Sequence, residues 1–235
     1  MISPADGQGS LAVVTGAGRG LGRALAAHLA QRGWTVVACV RTATPETVLD
    51  FAGITTVVQD VRDPIGNSLL QVIGSRPVDA LINNAGTGAP RAGLSQVDPA
   101  TVLNAVDVNV AGPLRFVQAL LPSLLSAAAP LIINISSRLG SLTAQAAGQY
   151  ADLDTSYAYR ISKAAQNMLT IALAKELAGQ VRCWAVHPGT LTTGMGRDGA
   201  ATSPQQAAER LTHLLDSPDT TSPRYCSLTG PDLTW

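Results

Sequence analysis

Short apolar runs alternate along this chain with longer segments of helical period. Leu11-Ala-Val-Val-Thr15 is apolar without a two-residue alternation, so it predicts a strand buried on both faces. Gly16-Ala-Gly-Arg-Gly20-Leu-Gly22 follows at once, and Leu21, Leu25 and Leu29 then fall four apart, the spacing of one helix face. Trp34 to Val40 predicts a second strand and Thr44-Pro45-Glu46 the start of a helix. Ile54 to Gln59 reads as a third strand ending at Asp60, and Val78 to Ile82 as a fourth. From Pro99 to Ala128 a long helical pattern runs through Pro113 and Pro122, where kinks are expected. Pro130 to Ile135 predicts a fifth strand, and a helix ending near Ala178 follows. Val181 to Val186 reads as a sixth strand, Pro204 to Leu215 as a helix capped by Ser203, and Arg224 to Leu228 as a last edge strand. Buried strands alternating with helices imply an α/β fold, a doubly wound parallel sheet of about seven strands covered on both faces. No linker or repeat divides the chain, so residues 1–235 are expected to form one domain.

Composition narrows the function. The 46% hydrophobic content is ample for a core, and 16 basic against 16 acidic residues leave no net charge. No basic run is interleaved with aromatics, so no nucleic-acid partner is expected. Cys39, Cys183 and Cys226 lie far apart in apolar runs, the pattern of buried thiols in a reducing compartment. The polar opening Met1 to Ser10 lacks the charged and apolar regions of a secretory leader, and no uninterrupted apolar stretch of about 18 residues follows. A cytoplasmic protein without a membrane partner is expected. His28, His187 and His213 stand in unlike contexts, so no metal site is expected.

The chemistry concentrates in Tyr159-Arg-Ile-Ser-Lys163. A tyrosine and a lysine four apart share one helix face, and a nearby ammonium favours the phenolate form of a phenol. Such a pair suits proton transfer; a solvated surface pair is the bland alternative. Arg138 to Thr155, polar and without a clear pattern, lies just before this helix and is expected to wall a substrate site.

The glycine stretch fits Thr-Gly-x-x-x-Gly-x-Gly, with Thr15, Gly16, Gly20 and Gly22, rather than Gly-x-Gly-x-x-Gly. Glycine permits the tight strand-to-helix turn, lets backbone approach a pyrophosphate and leaves that anion at a helix N-terminus. An acid that would grip an adenosine 2′-hydroxyl is missing after the second strand, where Cys39-Val40-Arg41-Thr42 stands instead. Arg41, with Arg19 inside the turn, is suited to a 2′-phosphate, so NADP(H) is expected in preference to NAD(H). Two solvated surface arginines are the other reading.

Together these motifs resemble the short-chain dehydrogenase/reductase family, over essentially the whole chain from Thr15 onward. Asn83-Asn-Ala-Gly86 is similar to the family's Asn-Asn-Ala-Gly motif, Asp60-Val61 to its adenine contact, and Asn109 to its helix-four asparagine. Ile133-Asn-Ile-Ser-Ser137 resembles the strand whose second serine is catalytic, and Pro188-Gly189 with Thr193 resembles the segment that holds the nicotinamide carboxamide. Ser136-Ser-Arg-Leu-Gly-Ser141, Met195-Gly196 and Gly230 to Trp235 are similar to the branch of C-factor-like and sniffer-like carbonyl reductases. The resemblance implies a Rossmann fold and reversible hydride transfer between NADP(H) and a carbonyl or secondary alcohol, most readily as reduction. It implies a catalytic set of Ser137, Tyr159, Lys163 and Asn109, in which Lys163 lowers the Tyr159 pKa and binds the nicotinamide ribose, and Asn109 holds a water linking Lys163 to solvent. A cofactor site of Thr15, Gly16, Arg19, Gly20, Leu21, Gly22, Arg41, Asp60, Val61, Asn83, Ala85, Gly86, Tyr159, Lys163, Pro188, Gly189 and Thr193 follows from it. Ser137, Leu139, Tyr150 and Tyr157 are expected to meet the substrate, between loops 138–157 and 189–203. A homodimer or homotetramer through helices four and five is the expected assembly. A cofactor-binding sensor or signalling protein of C-factor type, without essential turnover, is the alternative activity.

Overall fold

The computed structural model describes residues 9–153, 155–192 and 202–235. Its strands are β1 (Leu11–Thr15), β2 (Thr35–Val40), β3 (Ile54–Val58), β4 (Ala80–Asn83), β5 (Leu131–Ile135), β6 (Arg182–His187) and β7 (Arg224–Ser227). They form one parallel seven-stranded sheet in the order β3-β2-β1-β4-β5-β6-β7, so β1 and β4 straddle the point where the winding reverses. Ligands bind such sheets beyond the carboxyl ends of the strands at that point.

Alternate strand residues sort into two apolar layers. Ala12, Val14 and Val36 face Leu21, Leu25 and Leu29 of α1 (Gly20–Gln31) and Leu211 and Leu215 of α7 (Pro204–Leu215). Leu11, Val13, Leu81 and Ile132 face the other way, toward Phe116, Leu120 and Leu124 of α4 (Gly112–Leu125) and Leu173 of α6 (Tyr157–Glu176). The stretch Pro99–Leu125 is long and apolar enough to cross a membrane by length and composition. Here its apolar face is spent on the second core layer.

Three expectations need correction, and one element was not anticipated. Thr44 does not open a helix: Thr47 N donates to Thr44 O (3.0 Å) while Thr47 Oγ1 donates to Thr42 O (2.6 Å), closing a single turn. Residues 67–73 form a short helix, α2 (Asn67–Ile73), which no clear period announces. The long helix is not simply kinked at its prolines. α3 (Pro99–Val106) widens into a π-type turn over Asp107–Ala111 before α4 begins, and Gly112 N donates five residues back to Asp107 O. The physical cause is Pro113, which has no N–H to offer the Asn109 carbonyl. The stretch after Ser137, finally, is not irregular throughout, since it holds a 3₁₀ turn (Arg138–Gly140) and α5 (Leu142–Ala146).

Candidate active site

The turn between β1 and α1 is built for close backbone approach. Gly16 and Gly20 adopt φ of 65° and 54°, and a Cβ on Gly22 would lie 2.4 Å from both Gly16 O and Asn84 Nδ2. No side chain caps α1 and no acid stands in its first turn, so its N-terminal N–H groups are suited to an anion. Thr15 Oγ1 accepts from Asn84 N and Ala85 N, each at 3.0 Å, and stitches the strap after β4 onto this turn. Gly16 packs against that strap, where a Cβ would come within 2.8 Å of Ala85 Cα. These features fit a dinucleotide: the cradle is one a single methyl group would fill.

Other predicted cofactor residues fall around the cradle in different ways. Leu21 is buried in the first core layer, leaving only its backbone for the site. Asn83 turns its side chain into the sheet, donating from Nδ2 to Asn134 Oδ1 at 2.9 Å. Asp60 is gripped by Arg62, whose Nη2 donates to Oδ2 at 2.7 Å. That hydrogen bond holds the carboxyl below its ordinary range, with the Arg41 charge adding to it. Val61 is buried under Gly112, where a Cβ would lie 2.9 Å from its own. Arg19 and Arg41 are exposed and make no hydrogen bond or ion pair with the described residues. Gly189, after the buried Pro188, has φ of 90° and packs on Thr229. Thr193 and Met195-Gly196 lie outside the described residues.

Ser137, Tyr159 and Lys163 are brought together at the carboxyl end of β5. Ser137 caps the 3₁₀ turn, its Oγ accepting from Leu139 N at 3.3 Å, and its side chain stands close enough to Tyr159 to act on the phenol. Ser156 caps α6 by accepting from Tyr159 N at 3.3 Å, which fixes the start of the helix just ahead of Tyr159, itself one turn before Lys163. Lys163 is 4% exposed, and its Nζ donates to Ile135 O at 2.7 Å and Gln166 Oε1 at 2.9 Å. Burial pushes its pKa down to about 7, so ammonium and amine coexist near neutrality. Burial pushes the Tyr159 phenol up, against a smaller opposing pull from the Ser137 hydrogen bond. The expected lowering of the phenol pKa is thus not the state of this site. Lys163 Nζ sits 5.8 Å from the Tyr159 ring centre, with two acceptors of its own.

Asn109 is fully buried inside the π-type turn. Its Nδ2 donates to Thr87 O (2.9 Å) and Ser162 Oγ (2.8 Å), and its Oδ1 accepts from Thr87 N (2.9 Å). Both amide hydrogens are therefore committed, and the backbone carbonyl is deprived of an i+4 donor by Pro113. Gly86 lies between this group and the lysine, since a Cβ there would stand 3.3 Å from Asn109 Oδ1 and 3.8 Å from Lys163 Nζ.

Three positioning features escape a reading by motif. Lys163, Gln166, Asn167 and Thr170 form a buried polar stripe on α6 that meets β5: Ser136 Oγ donates to Asn167 Oδ1 (2.6 Å) and Asn134 Nδ2 to Thr170 Oγ1 (2.9 Å). Their spacing of i, i+3, i+4 and i+7 was the available signal. Arg160 ties down the loop after α5, donating to Thr155 Oγ1 at 2.8 Å, Tyr150 O at 3.2 Å, Gln145 Oε1 and Leu153 O. Tyr225 donates its hydroxyl to the Ser137 carbonyl and stacks on Trp235 at 5.0 Å between ring centres. Of the expected substrate residues, Leu139 is buried, Tyr150 half-buried beneath the Arg138 guanidinium, and Tyr157 45% exposed at the start of α6.

A parallel sheet of this winding, a glycine turn at its switch point and a Ser-Tyr-Lys cluster beyond the next strand define a nucleotide-dependent oxidoreductase scaffold. Residues 10–203 match the family model described as short chain dehydrogenase, and the chain belongs to the short-chain dehydrogenase/reductase family. It is 33% identical to C-signal of Myxococcus xanthus over 162 residues, covering 68% of this chain and 93% of that protein. Among solved structures it superposes on the carbonyl reductase Sniffer of D. melanogaster with a TM-score of 0.85 at 25% identity, covering 97% of this chain and all of that one. NADPH-bound carbonyl reductase from chicken fatty liver gives a TM-score of 0.84 at 25% identity over the same 97% of this chain and 100% of its own.

Proposed function

We propose that the protein is an NADPH-dependent carbonyl reductase. The observation that carries this reading is the cluster itself: a Ser137 side chain beside a Tyr159 phenol whose pKa burial raises, one helical turn from a buried lysine. When bound, the dinucleotide would supply a hydride at its nicotinamide ring. Thr15, Gly16, Gly20, Gly22, Ala85 and Gly86 would line its path, with Pro188 and Gly189 at the nicotinamide end. Arg19 and Arg41, both exposed and making no hydrogen bond or ion pair with the described residues, would meet a 2′-phosphate, which favours NADP(H) over NAD(H).

In reduction Tyr159 gives its proton to the carbonyl oxygen, and a phenol held above its ordinary pKa is in the right protonation state to do so. Ser137 hydrogen-bonds and orients the same oxygen. The phenolate so formed is stabilised by Lys163 in its ammonium form, which a pKa of about 7 makes available at neutral pH. Lys163 would then pass a proton to the phenolate, and a water held at Asn109 would replace that proton on the lysine from solvent. Loops 138–157 and 189–203 would enclose the substrate, and self-association would use the outer faces of α4 and α6, where Leu114, Ile161 and Met168 are exposed.

The similarity to C-signal keeps a signalling role in view. Oxidation of NADPH and of NADH with a panel of aldehydes, ketones and quinones separates the readings. Carbonyl-dependent oxidation, faster with NADPH, is expected; binding of either dinucleotide with no turnover on any carbonyl would sink the reductase reading.

A further inference from the structure

We propose that Arg138 binds a carboxylate carried by the carbonyl substrate, so that the protein selects oxo acids and formyl acids over their neutral counterparts. The proposal rests on the reductase reading above and names the substrate class of that same site. Arg138 directly follows Ser137, on the 3₁₀ turn that Ser137 caps. Its guanidinium carbon lies 5.4 Å from the centre of the Tyr150 ring, across the loop expected to wall the substrate. The side chain is half-buried yet makes no hydrogen bond or ion pair with any described residue. Arg160, which reaches the same loop from α6, has four acceptors.

A ring face satisfies the charge of a guanidinium in part, but none of its five in-plane N–H donors. No described carboxylate pairs with it. Among the described buried residues of the molecule stand Lys163 and His187, and no Asp or Glu. The positive field reaches His187, whose buried Nδ1 has no partner. Its pKa is pushed down to about 4, first by burial and then by the charges of Arg138 and Lys163. The site thus holds one cation at the proton-transfer end and another beside the catalytic serine, with no buried carboxylate among the described residues. A neutral substrate leaves the Arg138 fork unmatched, whereas a carboxylate meets it with two parallel charge-assisted hydrogen bonds.

The test compares 4-formylbenzoate with its methyl ester, which share the aldehyde and differ in charge. With NADPH, wild type is expected to show kcat/KM at least about tenfold higher for the acid, a preference that added KCl weakens. Arg138→Gln should bring the acid-to-ester ratio close to one, and Arg138→Lys, which keeps the charge without the fork, should fall between. The Lys variant also serves if the Gln variant does not fold. No preference in wild type, or an unchanged ratio in the variants, overturns the proposal. Calorimetric titration of the NADP⁺-saturated protein with benzoate and benzamide reads the same site without turnover. If no aldehyde is reduced, the reductase reading fails by itself. Tighter benzoate binding that Arg138→Gln abolishes then still supports the carboxylate site, and equal binding of the two overturns it.

Discussion

Lys163→Met should uncouple stability from activity in a manner that depends on pH. In the native protein Lys163 is buried with a pKa of about 7, against 10.5 for the exposed side chain in the unfolded chain. Between those values the unfolded state binds a proton that the folded state does not, so wild-type stability rises as pH climbs from about 7 toward 10.5. Each pH unit within that window is worth up to about 1.4 kcal/mol. Below it both states are protonated and the full cost of burying the ammonium is present. Methionine carries no charge, and its own loss, two acceptors at Ile135 O and Gln166 Oε1 left without a donor, costs about 1–3 kcal/mol at every pH. The stability of Lys163→Met relative to wild type should therefore be highest at pH 6–7 and fall by about 2–3 kcal/mol by pH 9. Urea unfolding of the cofactor-free proteins at pH 6, 7, 8 and 9 measures this, with activity at pH 7 expected to be lost throughout. A difference that stays constant across the series would show that Ile135 O and Gln166 Oε1 hold the lysine as an ordinary ammonium, and the reasoning would be wrong.

Gly22→Ala should abolish dinucleotide binding or prevent folding, because its methyl group would lie 2.4 Å from Gly16 O; binding retained at wild-type strength by fluorescence titration would contradict the cradle. Arg160→Leu removes four tethers of the loop after α5 and should raise KM and speed limited proteolysis within residues 145–155, while unchanged KM and cleavage would assign Arg160 no role there. Tyr225→Phe keeps the stack on Trp235 but removes the donor to the Ser137 carbonyl, so kcat should drop about three- to tenfold, roughly 1 kcal/mol, with a kcat equal to wild type counting against that positioning role.

Residues whose spacing alone carries meaning were legible before the structure. Leu21, Leu25 and Leu29 placed α1, the β-branched runs placed the strands, and Tyr159 with Lys163 placed the reactive face of α6. What escaped depends on partners distant in sequence. Asn83 sits in a recognisable motif, yet its side chain is claimed by Asn134, a neighbour only because β4 pairs with β5. Asn109 could be picked out, whereas the π-type turn that holds it needs Pro113 and Gly112 to be read together with Val61 beneath them. Thr44-Pro45-Glu46 has the composition of a helix start, but Thr47 closes the chain into one turn before a helix can propagate. The closeness of Tyr159 to a lysine is visible in sequence, whereas the desolvation that raises its pKa is not.

The central claim, carbonyl reduction with Tyr159 as the proton donor, is tested most directly by following deuterium from NADPH labelled at the hydride-donating position. Wild type and Tyr159→Phe would each be mixed with labelled cofactor and a reducible aldehyde, and the alcohol analysed by mass spectrometry, with cofactor binding measured in parallel. The account predicts one deuterium on the carbinol carbon with wild type, and a rate at least about 1,000-fold lower with Tyr159→Phe at nearly unchanged NADPH affinity. Deuterated alcohol formed by the variant at the wild-type rate would contradict it.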